Sequence, residues 1–286
     1  MLTVITEPKV IIPGSCYSAG TPFEGHAFFE ASSIRKVNGR YYFIYSSEVM
    51  HELCYAVSDD PLGGFEYGGV LVSNTDLHID TYKPADMPAC RGANNHGSMI
   101  DINGEWYIFY HRHTNGTWFS RQGCAEKLTL NADGSFDQAE ITSCGLNGGP
   151  LEGKGEYPAY IACNIFGKEP ELYIGDLNAP CIVQDGRDGD EETGYISNIR
   201  EGTNIGFKYF DCRDITRVSV TVRGYCGGTF AVKTAWDGEE LGEIGIDNSN
   251  VWKKFTADIR IPDGVNAVWF TFKGTGSPSL GSFTLE

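Results

Sequence analysis

Two stretches 65 residues apart constrain this chain more than anything else in it: NGRYYFIYSS at 38–47 and NGEWYIFYHR at 103–112. In both, an apolar strand-like run precedes an Asn-Gly pair, which favours the tight type I′ turn because both residues tolerate positive φ. Residues 28–47 and 94–112 therefore read as two copies of one β-hairpin. Each copy leads into a further strand-like segment, HELCYAVSD or TWFSRQGCAEKLTL, and then into a turn, DPLGGF or NADGSF. Repeated units of three to four antiparallel strands are the blades of a β-propeller.

From about residue 154 the repeat stops and short strands separated by Gly/Asp turns run to the C-terminal GSFTLE. VSVTVR at 218–223, FAVKTAW at 230–236 and VWFTF at 268–272 each put apolar residues on a strand face. Helical periodicity is hard to find, so the predicted class is all-β. Residues 1–153 are read as propeller blades and residues 154–286 as a β-sandwich, joined through the glycine-rich GLNGGPLEGKGE at 145–156.

Charge narrows the function classes. A formal net charge of −16 repels phosphate backbones and anionic membranes, so neither a nucleic-acid nor a membrane partner is expected. No run approaches the ~18 apolar residues of a membrane span, and the opening MLTVITEPKVIIPG lacks the features of a signal peptide. The 9 cysteines form no CxxC pair, which favours free thiols and a cytoplasmic, reducing compartment over a mixture with disulfides.

Within the first hairpin, Glu30 directly follows two phenylalanines. A carboxyl desolvated by apolar neighbours favours its neutral form, which suits a proton donor. Aligning the copies on their Asn-Gly turns sets Glu30 opposite Asn95, with His96 one position further along. The first strand of each blade lines a propeller's central channel, so these three side chains are expected to converge. His111 and His113 share one strand face but lack a third metal ligand.

The blocks HAFFEASSIRKVNGRYYFIYSS, NNHGSMIDINGEWYIFYHRHT and FSRQGCAEKL together resemble glycoside hydrolase family 43, in particular its arabinofuranosidase and arabinoxylan arabinofuranohydrolase branch. The resemblance implies a five-bladed propeller that hydrolyses glycosides with inversion, using a base Asp, an orienting Asp and a general acid Glu. It makes Glu30 the acid and assigns Asn95, His96 and Arg121 to the sugar-binding cavity. His96 would also neighbour a calcium or water site; no other cofactor is implied. The second half resembles a family 6 carbohydrate-binding module, a jelly roll whose binding aromatics fall on Tyr195 and Trp252. Ser279 stands where that module's C-terminal asparagine is expected.

Five blades need roughly 250 residues, and the stretch before the sandwich holds room for the last two to three. In the family both catalytic aspartates lie upstream of the Glu30 block, and Asp59, Asp60, Asp76, Asp80 and Asp86 match neither motif. The expectation is therefore an incomplete propeller whose activity alone is impaired, on arabinoxylan or a related oligosaccharide, with an upstream chain supplying the missing blades. The alternative is a non-catalytic carbohydrate-binding protein.

Overall fold

The computed structural model describes residues 7–186 and 194–286, and nearly all of its regular elements are strands. Strands β1 (Phe28–Val37), β2 (Arg40–Ser47), β3 (Glu52–Ser58) and β4 (Glu66–Ser73) form one antiparallel sheet in sequential order. A second sheet has the order β5 (Ser98–Ile102), β6 (Glu105–His113), β7 (Arg121–Leu128). Both hairpins close as their sequence predicts: φ is 49° and 92° at Asn38 and Gly39, and 56° and 88° at Asn103 and Gly104. Two positive φ values in succession define the type I′ turn, whose twist matches that of the strands it joins. The repeat is thus one four-stranded and one three-stranded blade-like sheet.

Packing divides the chain into two compact units whose sequences interleave. One comprises the residues up to Asn74, Asn94–His111 and Gly123–Ala139; the other comprises Thr75–Ala93, Arg112–Gln122 and Glu140–Glu286. A division at 153/154 follows strand periodicity, whereas packing assigns two earlier excursions to the second unit. The first unit's core gathers Ile12, Phe23, Tyr45, Cys54, Ala56 and Phe65.

The second unit continues with β8 (Leu151–Glu152), β9 (Gly155–Pro158), β10 (Asn164–Phe166), β11 (Cys181–Val183), β12 (Tyr195–Ser197) and β13 (Asn204–Cys212). It ends with β14 (Val218–Gly224), β15 (Cys226–Lys233), β16 (Gly242–Ile246), β17 (Ser249–Ala257), β18 (Gly264–Gly276) and β19 (Ser279–Leu285). One sheet runs β10-β13-β18-β15-β16 with β8 beside β13; the other runs β11-β12-β19-β14-β17 with β9 beside β19. Their inner faces interdigitate through phenylalanines: the ring of Phe283 lies 4.4 Å from Phe207 and 5.5 Å from Phe270. Each such buried ring contributes about 1.5–3 kcal/mol. This is the expected sandwich.

β18 is buried on both faces, since Trp269 packs outward against Phe166, with Tyr82, Tyr209 and Trp236 around them. Beside this cluster lies a buried ion group. Lys208 is fully buried, its Nζ 2.8 Å from Glu140 Oε1, 3.6 Å from Asp76 Oδ2 and 3.2 Å from the centre of the Tyr82 ring. Asp76 also accepts bonds from the Ile141 amide at 2.9 Å and the Tyr82 hydroxyl at 2.7 Å. Burial pushes the Asp76 carboxyl above its ordinary range in spite of Lys208. Burial acts the same way on Glu140, but Lys208, Thr81 and Tyr209 outweigh it and hold that carboxyl low. This cluster is why the excursion beginning at Thr75 belongs with the sandwich. All nine cysteines are free thiols, as their spacing predicts.

Candidate functional site

Glu30 sits on an irregular stretch of β1. Phe28 pairs with Ser47, Glu30 with Ser46 and Ser33 with Ile44, so β1 carries extra residues on both sides of Glu30 relative to β2. Ala31 takes up the distortion at φ 60°, in the left-handed region that non-glycine residues seldom enter. Such bulges turn a side chain off the regular alternation. Here the Glu30 carboxylate, 38% exposed, meets His96 Nε2 at 2.8 Å. Asn94 Nδ2 donates to the same oxygen, Glu30 Oε1, at 3.0 Å. The His96 ring in turn lies 5.6 Å from that of His111.

Glu30 and His96 therefore come together as expected, but Asn95 does not join them. Its side chain is fully buried, and its Nδ2 donates to the His51 carbonyl at 3.4 Å. Its flanking residues Asn94 and His96 reach the carboxylate instead, from the stretch that precedes β5. The two flanking phenylalanines do not cover the Glu30 carboxylate. Phe28 packs on Phe43 and Tyr45, Phe29 is 51% exposed, and the carboxylate's contacts are with an amide and an imidazole.

Deeper in the same unit, Glu52 is buried and accepts from Ser47 Oγ at 3.0 Å, with His26 Nδ1 at 2.9 Å. The Cys54 thiol donates to it at 3.6 Å, and burial, then the charge of Glu52, keep that thiol protonated by pushing its pKa well up. Calcium next to His96 was tested against the donor set. Calcium takes six to eight oxygens, and the oxygen bonded to His96 Nε2 is the single Glu30 Oε1. Among the described residues no group of three or more His, Cys, Asp or Glu side chains gathers at His96. As for the aspartates, Asp59 pairs with Arg40 at 3.2 Å, Asp60 accepts from the Leu62 amide, Asp80 and Asp86 are exposed, and Asp76 serves Lys208.

The second unit carries its own cleft, of about 690 Å³. Tyr195 and Trp252, singled out from sequence, meet in it edge to face with ring centres 5.4 Å apart. The Arg223 guanidinium lies 4.8 Å from the centre of Tyr195 and 4.5 Å from that of Trp252. Asp185 fixes this group, accepting from the Tyr195 hydroxyl at 2.8 Å and from Arg223 Nη2 at 2.6 Å. Those bonds, Arg223's first, hold the Asp185 carboxyl below its usual range. Ser279 pairs with Arg223 across β19 and β14 but lies outside the lining, to which Gly281 and Ser282 contribute. Sequence reasoning missed Arg223, although alternation could have found it: Val218, Val220 and Val222 point into the core, which turns Arg223 outward.

Arg121 belongs to the second unit as well. It opens β7, donates from Nε to the Trp118 carbonyl at 3.5 Å and lines a second cleft of about 550 Å³.

A xylosidase/arabinosidase from Thermoclostridium stercorarium is 60% identical over 291 residues, covering 100% of this chain and 62% of that protein. The chain thus spans less than two thirds of the length of the curated relatives it matches. A glycoside hydrolase family 43 arabinoxylan arabinofuranohydrolase from Bacillus subtilis, solved with cellotetraose, matches 90% of this chain and 54% of its own at 20% identity and a TM-score of 0.48. CsCBM6-3 from Clostridium stercorarium, solved with cellobiose, matches 49% of this chain and 98% of its own at 19% identity and a TM-score of 0.39. No family model matches the sequence.

Proposed function

For a chain that is homologous along its whole length to the xylosidases/arabinosidases of glycoside hydrolase family 43, we propose inverting hydrolysis that removes arabinofuranosyl or xylosyl groups from arabinoxylan-type polysaccharide. Glu30 is the general acid. The observation that carries this is the convergence of two side chains on one carboxylate oxygen: Asn94 Nδ2 and His96 Nε2 both meet Oε1. With His96 donating from Nε2, Oε1 is held as an acceptor and the acidic proton resides on Oε2. From there it passes to the departing glycosidic oxygen as the bond to the anomeric carbon breaks. An inverting enzyme needs a second carboxylate to take a proton from water on the opposite face of the sugar. That base is assigned to no residue here, and a further segment or an upstream partner chain is proposed to supply it. Two carboxylates perform this chemistry without a cofactor.

The sandwich is proposed to hold the polysaccharide, through Tyr195 and Trp252. Aromatic side chains offer sugar C–H faces broad contact at low conformational cost. Trp252 is 39% exposed, which leaves surface for such contact beside Arg223.

The test is release of free arabinose and xylose from arabinoxylan by the purified chain, alone and in Glu30→Gln. General acid catalysis is worth about 10²–10⁴-fold. Glu30→Gln should therefore abolish the slow release from polysaccharide while sparing aryl glycosides, whose leaving groups need little protonation. Equal turnover in variant and parent on polysaccharide would end the assignment. Retained xylan binding with no release from either would favour the non-catalytic binding role, for which the Tyr195/Trp252 cleft is the supporting observation.

A further inference from the structure

The two clefts of the second unit are neighbours: Tyr160 and Gly194 line both of them. On one side of this neck stand Trp252, Tyr195 and Asp185, with Arg223 against the two rings. On the other stand Phe119, Asn115, Arg121, Gln122 and Gln184. The neck is held open by the lack of a side chain, since a Cβ on Gly194 would come within 3.2 Å of Tyr160 Cβ and 3.3 Å of the Val183 carbonyl oxygen. Tyr160 is anchored there, its carbonyl accepting from Gln122 Nε2 at 3.1 Å. Phe119, a ring that is 94% exposed, lines the far cleft.

We propose that the two clefts form one extended groove that binds an internal stretch of a neutral polysaccharide chain, with Trp252 and Phe119 as the aromatic contacts, one in each cleft. This rests on the carbohydrate-binding role proposed above for the sandwich, and it deepens that role by extending the site past Tyr160 and Gly194 into a second cleft. Size is the first reason. Each cleft already lies within the roughly 300–1,000 Å³ that accommodates a small ligand, and the two meeting at a shared neck exceed what a mono- or disaccharide fills.

Chemistry is the second reason. The far cleft is lined by amides and hydroxyls, from Asn115, Gln122, Gln184, Thr114 and Ser120, which pair with sugar hydroxyls in either direction. Among the described residues no carboxylate lines it, and the near cleft contributes Asp185 and Glu156. With a chain charge of −16, a polyanion is disfavoured and a neutral chain is not. A fully exposed phenylalanine in a polar groove is the arrangement that covers a sugar face, as an aromatic ring contributes area without a polar group to desolvate. Arg121, expected from sequence in a sugar-binding cavity, lines the far cleft from the second unit.

The test is calorimetric titration of the full 286-residue chain with neutral β-1,4-linked xylose oligomers of two and of six units. The hexamer is expected to bind about 10-fold more tightly than the dimer, as ~1.4 kcal/mol of added contact gives. Phe119→Ala should erase that gain and leave dimer affinity unchanged. The exposure of Phe119 makes its variant safe for folding. Hexamer affinity unchanged in Phe119→Ala, or equal affinities for the two lengths in the parent, would overturn the extended groove. Trp252→Ala reports separately on the underlying role: it should weaken both oligomers, and dimer affinity unchanged in that variant would remove the near cleft as a sugar site whatever Phe119→Ala does.

Discussion

Replacing Lys208 by methionine keeps most of the side-chain volume and deletes the charge, leaving the carboxylates of Asp76 and Glu140 to face each other without the cation that sits 3.6 and 2.8 Å from them. Asp76 is fully buried and cannot recruit water in its place. Removing one partner of a buried ion group costs about 3–5 kcal/mol, because the remaining charge is uncompensated. With a urea dependence of about 3 kcal/mol per molar, the unfolding midpoint should fall by about 1–1.7 M. Trp236 and Trp269 lie in the aromatic cluster with Tyr82 and Tyr209, so intrinsic fluorescence reports on this unit. The pH dependence separates lost charge from lost packing. Asp76 already has a folded-state pKa above its ordinary value, so the cost of ionising it is present at high pH and is relieved as pH falls through the raised value. Without Lys208 that rise is larger. In the parent, Glu140's lowered pKa contributes stability that is present above its ordinary 4.5 and lost in acid; the variant has none to lose. Both effects shrink the penalty on acidification, so the midpoint deficit should be largest near pH 8 and small near pH 4.5. The double variant Lys208→Met with Asp76→Asn should recover much of the loss. A deficit under about 0.3 M, or one equal at both pH values, would refute a charge-based role for Lys208.

Other predictions concern the bulge and the thiols. Ala31 lies at φ 60°, a region that costs an L-residue about 1–2 kcal/mol; Ala31→Gly should be neutral or mildly stabilising, while the β-branched Ala31→Val should lower Tm by several degrees and weaken any Glu30-dependent turnover. A valine tolerated as well as glycine would show that the bulge does not hold Glu30. Thiol titration of the unfolded chain without reductant should count all nine cysteines. In the native protein exposed Cys16 should react first, and Cys163, its thiol pushed up to about 11 by burial, should react slowly.

Much of this was legible in the sequence because it depends on local chemistry. Asn-Gly fixes a type I′ turn whatever surrounds it, and alternation in VSVTVR or VWFTF fixes which residues face a core. The pairing of Glu30 with His96, 66 residues away, followed from the repeat alone. The exchange of Asn95 for Asn94 did not, since both lie ahead of β5, where no strand alternation fixes which side chain turns toward Glu30. Arg223 was missed for a different reason: a lone arginine at a strand end looks like solvated surface until β17 and β12 bring Trp252 and Tyr195 beneath it. The membership of Thr75–Ala93 in the second unit was equally hidden, because it depends on where Lys208, more than a hundred residues later, needs a counter-charge.

The interleaving of the two units bears on how such a chain can be passed between proteins as modular parts. A carbohydrate-binding cassette is ordinarily mobile because one cut frees everything it needs. Here a gene fusion that took only the sequence from residue 154 onward would leave behind Asp76, Tyr82 and Glu140, stranding Lys208 as a bare cation in an apolar interior, and would lose Asn115, Phe119, Arg121 and Gln122 from the groove. The sandwich and the chain that precedes it are expected to be inherited together.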